Sequence, residues 1–324
     1  MYQRIIFFGS GEYIIPIVEK IRKKGLEFVV TSEHEEKDKP TPPLITYLKE
    51  ENIPYLSSNL SNPDDIERLK LYAPTLGVLA SYGAVIKPRV IDMFIYGIFN
   101  IHPSLLPKYK GPSPIQAAIL SGDNKIGVSI IRLDNQIDHG PILDQKEIEL
   151  DGAENYLDLR KKLFEMGAEM IALKLEELRE KDHLLETPQE ETSDPYTKKI
   201  TRSDGQIDLS NPPSPEIIER MIRAYYPWPG VFVKTILTGT EKIIKLLPDG
   251  KIQVERAQSR TSEMRPLTSG VQTSEDTLEK KQPFKSNSGI LIQVEGKRSM
   301  TIKDFANGYQ SEGREILSKL SLAF

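Results

Sequence analysis

Between residues 4 and 180 the chain alternates short apolar runs with longer stretches whose apolar residues recur at helical spacing, and this restricts the fold most. Apolar runs at 4–8, 26–30, 76–81, 96–101 and 127–133 read as strands. Helices fit the stretch up to residue 24, then 43–51, 63–72, 114–121 and 155–180. In the last of these, Leu157, Phe164, Ile171, Leu175 and Leu178 keep helical spacing and read as core. Alternating β and α pieces of this length predict an α/β fold with a parallel, Rossmann-like sheet. The turn after the first strand, Gly9-Ser10-Gly11, starts like a dinucleotide fingerprint, but Ile14 stands where the third glycine belongs. It reads as a generic strand-to-helix turn.

The pattern changes near residue 186. Residues 186–206 are polar, with two prolines and alternating charge, and read as a linker between a domain at 1–185 and a second at 207–324. A helix over 214–226 ends at Pro227-Trp228-Pro229-Gly230. Short strands at 231–233, 242–247, 251–255 and 289–294 predict a small β-barrel. Residues 256–288, rich in Ser, Thr, Gln and charge, are expected to form a loop or insertion.

The 324 residues suffice for two domains with cores of their own. Net charge is −4, but 207–324 hold 17 Lys/Arg against 14 Asp/Glu, leaving 26 against 33 in 1–206. The second part is thus mildly basic, which is compatible with a phosphate-bearing partner. The absence of cysteine excludes disulfides, thiolate metal sites and a cysteine nucleophile. No apolar run has the eighteen or so residues of a membrane span, so a cytoplasmic monomer is expected.

Chemistry concentrates in Asn100-Ile101-His102-Pro103-Ser104-Leu105-Leu106-Pro107 and, about thirty residues on, in Asp138. On a strand, positions i and i+2 share a side, so Asn100 and His102 present an amide and an imidazole to one spot. That spot lies at a strand's carboxyl end, where open α/β sheets bind ligands. An Asp138 carboxylate at the same spot completes a hydrogen-bond donor, a general acid/base and its electrostatic partner. Such a set suits acyl transfer, in which an oxyanion needs a fixed donor and two amines exchange a proton. Ser104 lies beyond a proline turn, which argues against a Ser-His hydrolase. His139 adjoins the site as a lining residue, and His34 and His183 fall in charged surface runs.

The run NIHPSLLPKYKG at 100–111, then Pro114-Ile115-Gln116, Gly127-Val128-Ser129 and Asp138, resembles the folate-dependent formyltransferase superfamily. The resemblance implies 10-formyltetrahydrofolate as co-substrate, no metal, and catalytic roles for Asn100, His102 and Asp138. It assigns folate contacts to Ser104, Leu105, Leu106 and Pro107, and sets Tyr82-Gly83 in a loop beside the pterin. The second half narrows the likeness. Tyr196-Thr197-Lys198-Lys199-Ile200, Ile207-Asp208, the run 223–230 and Lys297-Arg298-Ser299-Met300 resemble the tRNA-acting branch, the methionyl-tRNA formyltransferases. That branch implies formylation of methionine's α-amino group on initiator tRNA, gripped by its acceptor stem, and an OB-like barrel contacting the tRNA backbone.

One segment departs from that branch. Its members carry a long, basic, Gly-rich loop after the second strand, whereas residues 31–40 here are shorter and acidic. An acidic loop facing a phosphate backbone weakens binding. Sugar-nucleotide N-formyltransferases, which need no basic clamp, are therefore the alternative. Glycinamide ribonucleotide transformylase matches 100–111 well but lacks anything like 223–230.

Overall fold

The structure, a computed structural model, describes residues 3–248 and 290–322. The strand expected at 251–255 and the loop expected at 256–288 lie outside the described residues. The chain divides into two compact units, Met1–Ile200 and Thr201–Phe324.

In the first unit the strands are β1 (Ile5–Gly9), β2 (Leu26–Thr31), β3 (Tyr55–Ser57), β4 (Leu76–Ala80), β5 (Ile98–His102), β6 (Lys125–Arg132) and β7 (Ile142–Glu149). The helices are α1 (Ile15–Arg22), α2 (Pro43–Glu50), α3 (Pro63–Lys70), α4 (Pro88–Ile91), α5 (Pro114–Ser121) and α6 (Tyr156–Lys181). The seven strands form one sheet in the order β3-β2-β1-β4-β5-β6-β7. Strands β1 to β5 are parallel, as the alternation of elements predicts, while β6 pairs antiparallel with β5 and β7 antiparallel with β6.

Every residue of β1 and β5 is buried, because each strand has a neighbour on both edges and helices cover the sheet. On one face α1 packs against α6. On the other, Phe8, Phe28, Tyr82, Val90 and Phe94 belong to one apolar cluster. The Asn155 side chain caps the start of α6 by accepting from the Asp158 N–H. The chain leaves β1 toward β2 on one side and later enters β4 and β5 on the other, so neighbours β1 and β4 form the topological switch.

The second unit contains β8 (Gln206–Ile207), α7 (Pro215–Tyr225), β9 (Val231–Leu237), β10 (Thr240–Pro248), β11 (Ile290–Val294), β12 (Met300–Thr301), α8 (Ile302–Gly308) and α9 (Gln310–Lys319). Its described strands form a five-stranded sheet, β12-β11-β10-β9-β8. After α7 the peptide bonds Tyr226-Pro227 and Trp228-Pro229 are both cis, and Trp228 between them is 57% exposed. Gly205 packs so closely on the Gly230 carbonyl that a Cβ there would lie 1.8 Å from it.

Candidate active site

Asn100 and His102 occupy alternate positions at the end of β5, both almost fully buried between β4 and β6. Asp138 arrives from the loop between β6 and β7, with a left-handed φ of 48°. Its Oδ1 accepts from Asn100 Nδ2 at 3.1 Å, and its Oδ2 accepts from the Gly111 N–H at 2.8 Å. The His102 Nδ1 stands 3.5 Å from the same Oδ1. The structure thus brings all three side chains to one spot.

The carboxylate does not hold the imidazole by a hydrogen bond, since 3.5 Å is too long for one. The ring is anchored through Nε2, 3.0 Å from the Tyr109 carbonyl. A carbonyl only accepts, so Nε2 carries a proton and donates it there. In the neutral ring, Nδ1 is then the basic atom, and it faces Asp138. Tyr109 presents its carbonyl from a left-handed φ of 62°, while its hydroxyl donates to Asp123 Oδ2 at 2.9 Å.

The 104–107 turn is tied into the same region. Ser104 is fully buried and its hydroxyl donates to the Lys108 carbonyl at 2.7 Å, so it is not poised as a nucleophile. The Ser104 carbonyl accepts from Ser129 Oγ at 2.6 Å, and the Leu106 N–H donates to that oxygen at 3.0 Å. Gln145 Nε2 donates to the Leu106 carbonyl at 2.8 Å. Leu106 is buried, Leu105 and Pro107 are half-buried, and Leu105 lines a cavity of about 200 Å³ with Lys108, Tyr109 and Asp123.

Tyr82 follows β4, but its ring packs edge-on to Phe8 with centroids 5.8 Å apart, and its hydroxyl donates to the Ser58 carbonyl at 2.6 Å. Burial pushes its hydroxyl pKa up. Its side chain therefore belongs to the core. The left-handed Gly83, φ 81°, turns the chain beside Ser32. His139 Nδ1 lies 2.6 Å from Asp134 Oδ2 and His183 Nδ1 2.8 Å from the Lys181 carbonyl. Among the described residues no group of three or more His, Cys, Asp or Glu is placed to hold a metal.

The acidic stretch after β2 folds back on its own unit. Glu33 Oε1 accepts from the Gly11 N–H at 2.9 Å, while its buried Oε2 has no partner. Burial raises the Glu33 pKa, against the lowering effect of the Gly11 bond. Glu35 pairs with Lys49 at 2.8 Å and Glu36 with Lys39 at 2.5 Å. Both pairs are solvent-exposed and Lys39 belongs to the same stretch, so residues 31–40 keep four Asp/Glu against two Lys.

Four contributors around the site escaped the sequence reading: the Tyr109 carbonyl, the Gly111 N–H, Gln189 and Thr197. The first two are backbone groups inside the run already singled out, and a motif of side chains does not display them. Gln189 Nε2 donates to the carbonyls of Asp138 and Gly140 at 2.9 and 2.8 Å. Thr197 Oγ1 donates to the Lys110 carbonyl at 3.0 Å and accepts from the Ser113 N–H at 3.1 Å. Both fall in the stretch read as a linker, Thr197 within the run 196–200 whose likeness to the tRNA-acting branch assigns it no part in the site.

Fold and site first define a class: α/β enzymes that gather an amide, an imidazole and a carboxylate at a strand's carboxyl end, a set suited to acyl transfer. The chain belongs to the formyl transferase family, since residues 3–175 match Formyl transferase and residues 199–310 match Formyl transferase, C-terminal domain. It is 35% identical over 291 residues to a protein of Chloroflexus aurantiacus named methionyl-tRNA formyltransferase, covering 85% of this chain and 90% of that one. A Herpetosiphon aurantiacus protein of the same name is 32% identical over 94% of this chain and 97% of its own length. Among solved structures, WlaRD, a sugar 3N-formyl transferase, shares the fold with a TM-score of 0.54 at 20% identity, over 75% of this chain and 87% of that one.

Proposed function

We propose that this chain transfers the formyl group of 10-formyltetrahydrofolate to the α-amino group of methionyl initiator tRNA, in translation initiation. The observation that carries the reading is the Asp138 carboxylate, held by Asn100 and the Gly111 N–H beside the free edge of His102. The family supplies the formyl group as cargo. The relatives named methionyl-tRNA formyltransferase, matched along nearly the whole chain, support the acceptor. Glu35 and Glu36 each have a lysine partner, but the stretch stays largely exposed and acidic, so the acceptor reading rests on the relatives and not on this loop.

The chemistry follows from the atoms. With the donor's formyl carbon beside Asn100 and His102, the acceptor's neutral amine attacks that carbon and a C–N bond forms. Charge moves to the formyl oxygen. Asn100 uses one N–H on Asp138 and has a second for the oxyanion. His102 Nδ1 takes the proton that the attacking nitrogen loses, and Asp138 stabilises the resulting imidazolium. Collapse breaks the bond to N10 of the donor, which receives the proton. One N–H and one C–N bond are lost, and one of each is made.

Ser104, Leu105, Leu106 and Pro107 and the Tyr82–Gly83 loop would contact the folate, the loop through its backbone and Gly83. No helix among the described residues is long and apolar enough to cross a membrane. The role in translation initiation, read from the relatives named methionyl-tRNA formyltransferase, makes the cytoplasm the place we propose for it, as a monomer. The sugar-nucleotide alternative rests on the acidic 31–40 stretch and on fold likeness, and no relative named above carries that activity over the whole chain at comparable identity. The test is formyl transfer from 10-formyltetrahydrofolate to methionyl initiator tRNA, run beside an amino-sugar nucleotide and glycinamide ribonucleotide. Turnover of the tRNA alone is expected; turnover of a small acceptor alone would replace the acceptor and keep the chemistry.

A further inference from the structure

Residues 187–197 touch the surroundings of Asp138 at two places without reaching its carboxylate. The stretch is fastened by a bridge in which the Ile142 N–H donates to the Thr187 carbonyl at 2.8 Å and the Thr187 N–H donates back at 2.9 Å. Two residues on, Gln189 gives its amide hydrogens to the carbonyls of Asp138 and Gly140. Both partners are acceptors, so the orientation of this amide is fixed. Its own Oε1 is buried and has no partner. The two donations, and not bulk, hold this side chain in place.

The second grip acts on the other side of the carboxylate. The Thr197 N–H and hydroxyl both donate to the Lys110 carbonyl, at 2.7 and 3.0 Å. Gly111, whose N–H holds Asp138 Oδ2, packs on Thr197 so closely that a Cβ would lie 2.7 Å from its carbonyl. Gln189 therefore fixes the main chain that carries Asp138, and Thr197 fixes the donor that meets its Oδ2. The φ of 48° at Asp138 is one that Asp tolerates, and the two donations from Gln189 hold the main chain there.

We propose that residues 187–197 form a strap that positions Asp138, with Gln189 and Thr197 as positioning residues for formyl transfer. This rests on the function proposed above. The geometry makes the role of Gln189 one of donation, so Gln189→Glu is the informative change. As a carboxylate it offers two acceptors to two carbonyls and releases the loop. Once protonated it regains one donor.

The experiment compares wild type with Gln189→Ala, Gln189→Glu and Thr197→Val in formyl transfer to methionyl initiator tRNA across pH. In both Gln189 variants kcat is expected to fall by about 10²-fold, the scale of a misplaced catalytic group. The fall should be smaller in Thr197→Val, which keeps the main-chain bond to Lys110. KM for both substrates and the circular dichroism should be unchanged in all three. In Gln189→Glu the ratio of variant to wild-type kcat should rise as pH falls, and in Gln189→Ala it should stay flat. Wild-type kcat in Gln189→Ala and Thr197→Val, or a fall that only tracks the folded fraction, would overturn the strap. If the wild type fails to formylate the tRNA, it is the functional reading that fails. The strap is then judged by the NMR signal of the His102 imidazole, which requires no acceptor: displaced in Gln189→Ala it supports the proposal, unmoved it refutes it.

Discussion

His102 takes its orientation from a carbonyl and its charge partner from a carboxylate, two jobs that a motif read as letters merges into one. The Tyr109 carbonyl keeps a proton on Nε2, which leaves Nδ1 as the basic atom for the proton handling proposed above. His102→Ala should cut turnover by about 10²–10⁴, the usual worth of a positioned acid/base group, without changing the circular dichroism. Asn100→Ala should cost about 10²–10³ in kcat, as for other lost oxyanion donors. Near-normal formylation rates in either variant would remove that residue from the mechanism. Glu33 makes a different prediction. Burial raises its pKa, so the fold disfavours its charged form, and the penalty grows as pH climbs above the ordinary carboxylate range. Glu33→Gln is therefore expected to melt above wild type at pH 7, with the gap closing as pH falls below the ordinary carboxylate value of 4.5, where both states of the wild type bind the proton. A gap that widens on acidification would contradict this.

At the scale of elements, the alternation of strand and helix reveals the parallel core from β1 to β5 but not how the sheet finishes. Strand β3 is three residues long and half-exposed, too short to show a period. Strand β7, Ile-Leu-Asp-Gln-Lys-Glu-Ile-Glu, lies at the sheet's edge and is mostly polar, so it carries little of the apolar signal that marks buried strands. The direction of β6 is equally silent, because an antiparallel partner can look as apolar as a parallel one. The site suffers less from this, since Asn100 and His102 sit on one of the most readable strands. Helix α6 supports that strand through Gly167, where a Cβ would come within 2.4 Å of Ile101 Cγ2. Ile101 alternates with Asn100 and His102, so it faces α6 while they face away. Gly167→Ala gains up to about 1 kcal/mol in helix propensity but loses about 1–3 kcal/mol to overpacking. The expected balance is a lower urea midpoint together with reduced kcat. An unchanged midpoint would mean the helix accommodates the methyl freely.

For the molecule as a whole, the division at residue 200 leaves two bodies that share a chain but have separate sheets. The charge asymmetry read from composition follows the same partition closely, with the excess of acid in the first 206 residues. Two cores of this kind are expected to melt as separate cooperative steps. The lone tryptophan of the chain belongs to the second unit, exposed between its two cis prolines. Emission from that ring therefore reports on one body only, whereas far-ultraviolet circular dichroism weighs the helices of both. Denaturation curves from the two probes should fail to superimpose, and superposition would mean that the halves unfold together. The same ring, already facing solvent in the native state, makes the enzyme its own optical label. A nucleic acid that settles on the second unit would announce itself by quenching, with no dye attached and no background from the half that does the chemistry.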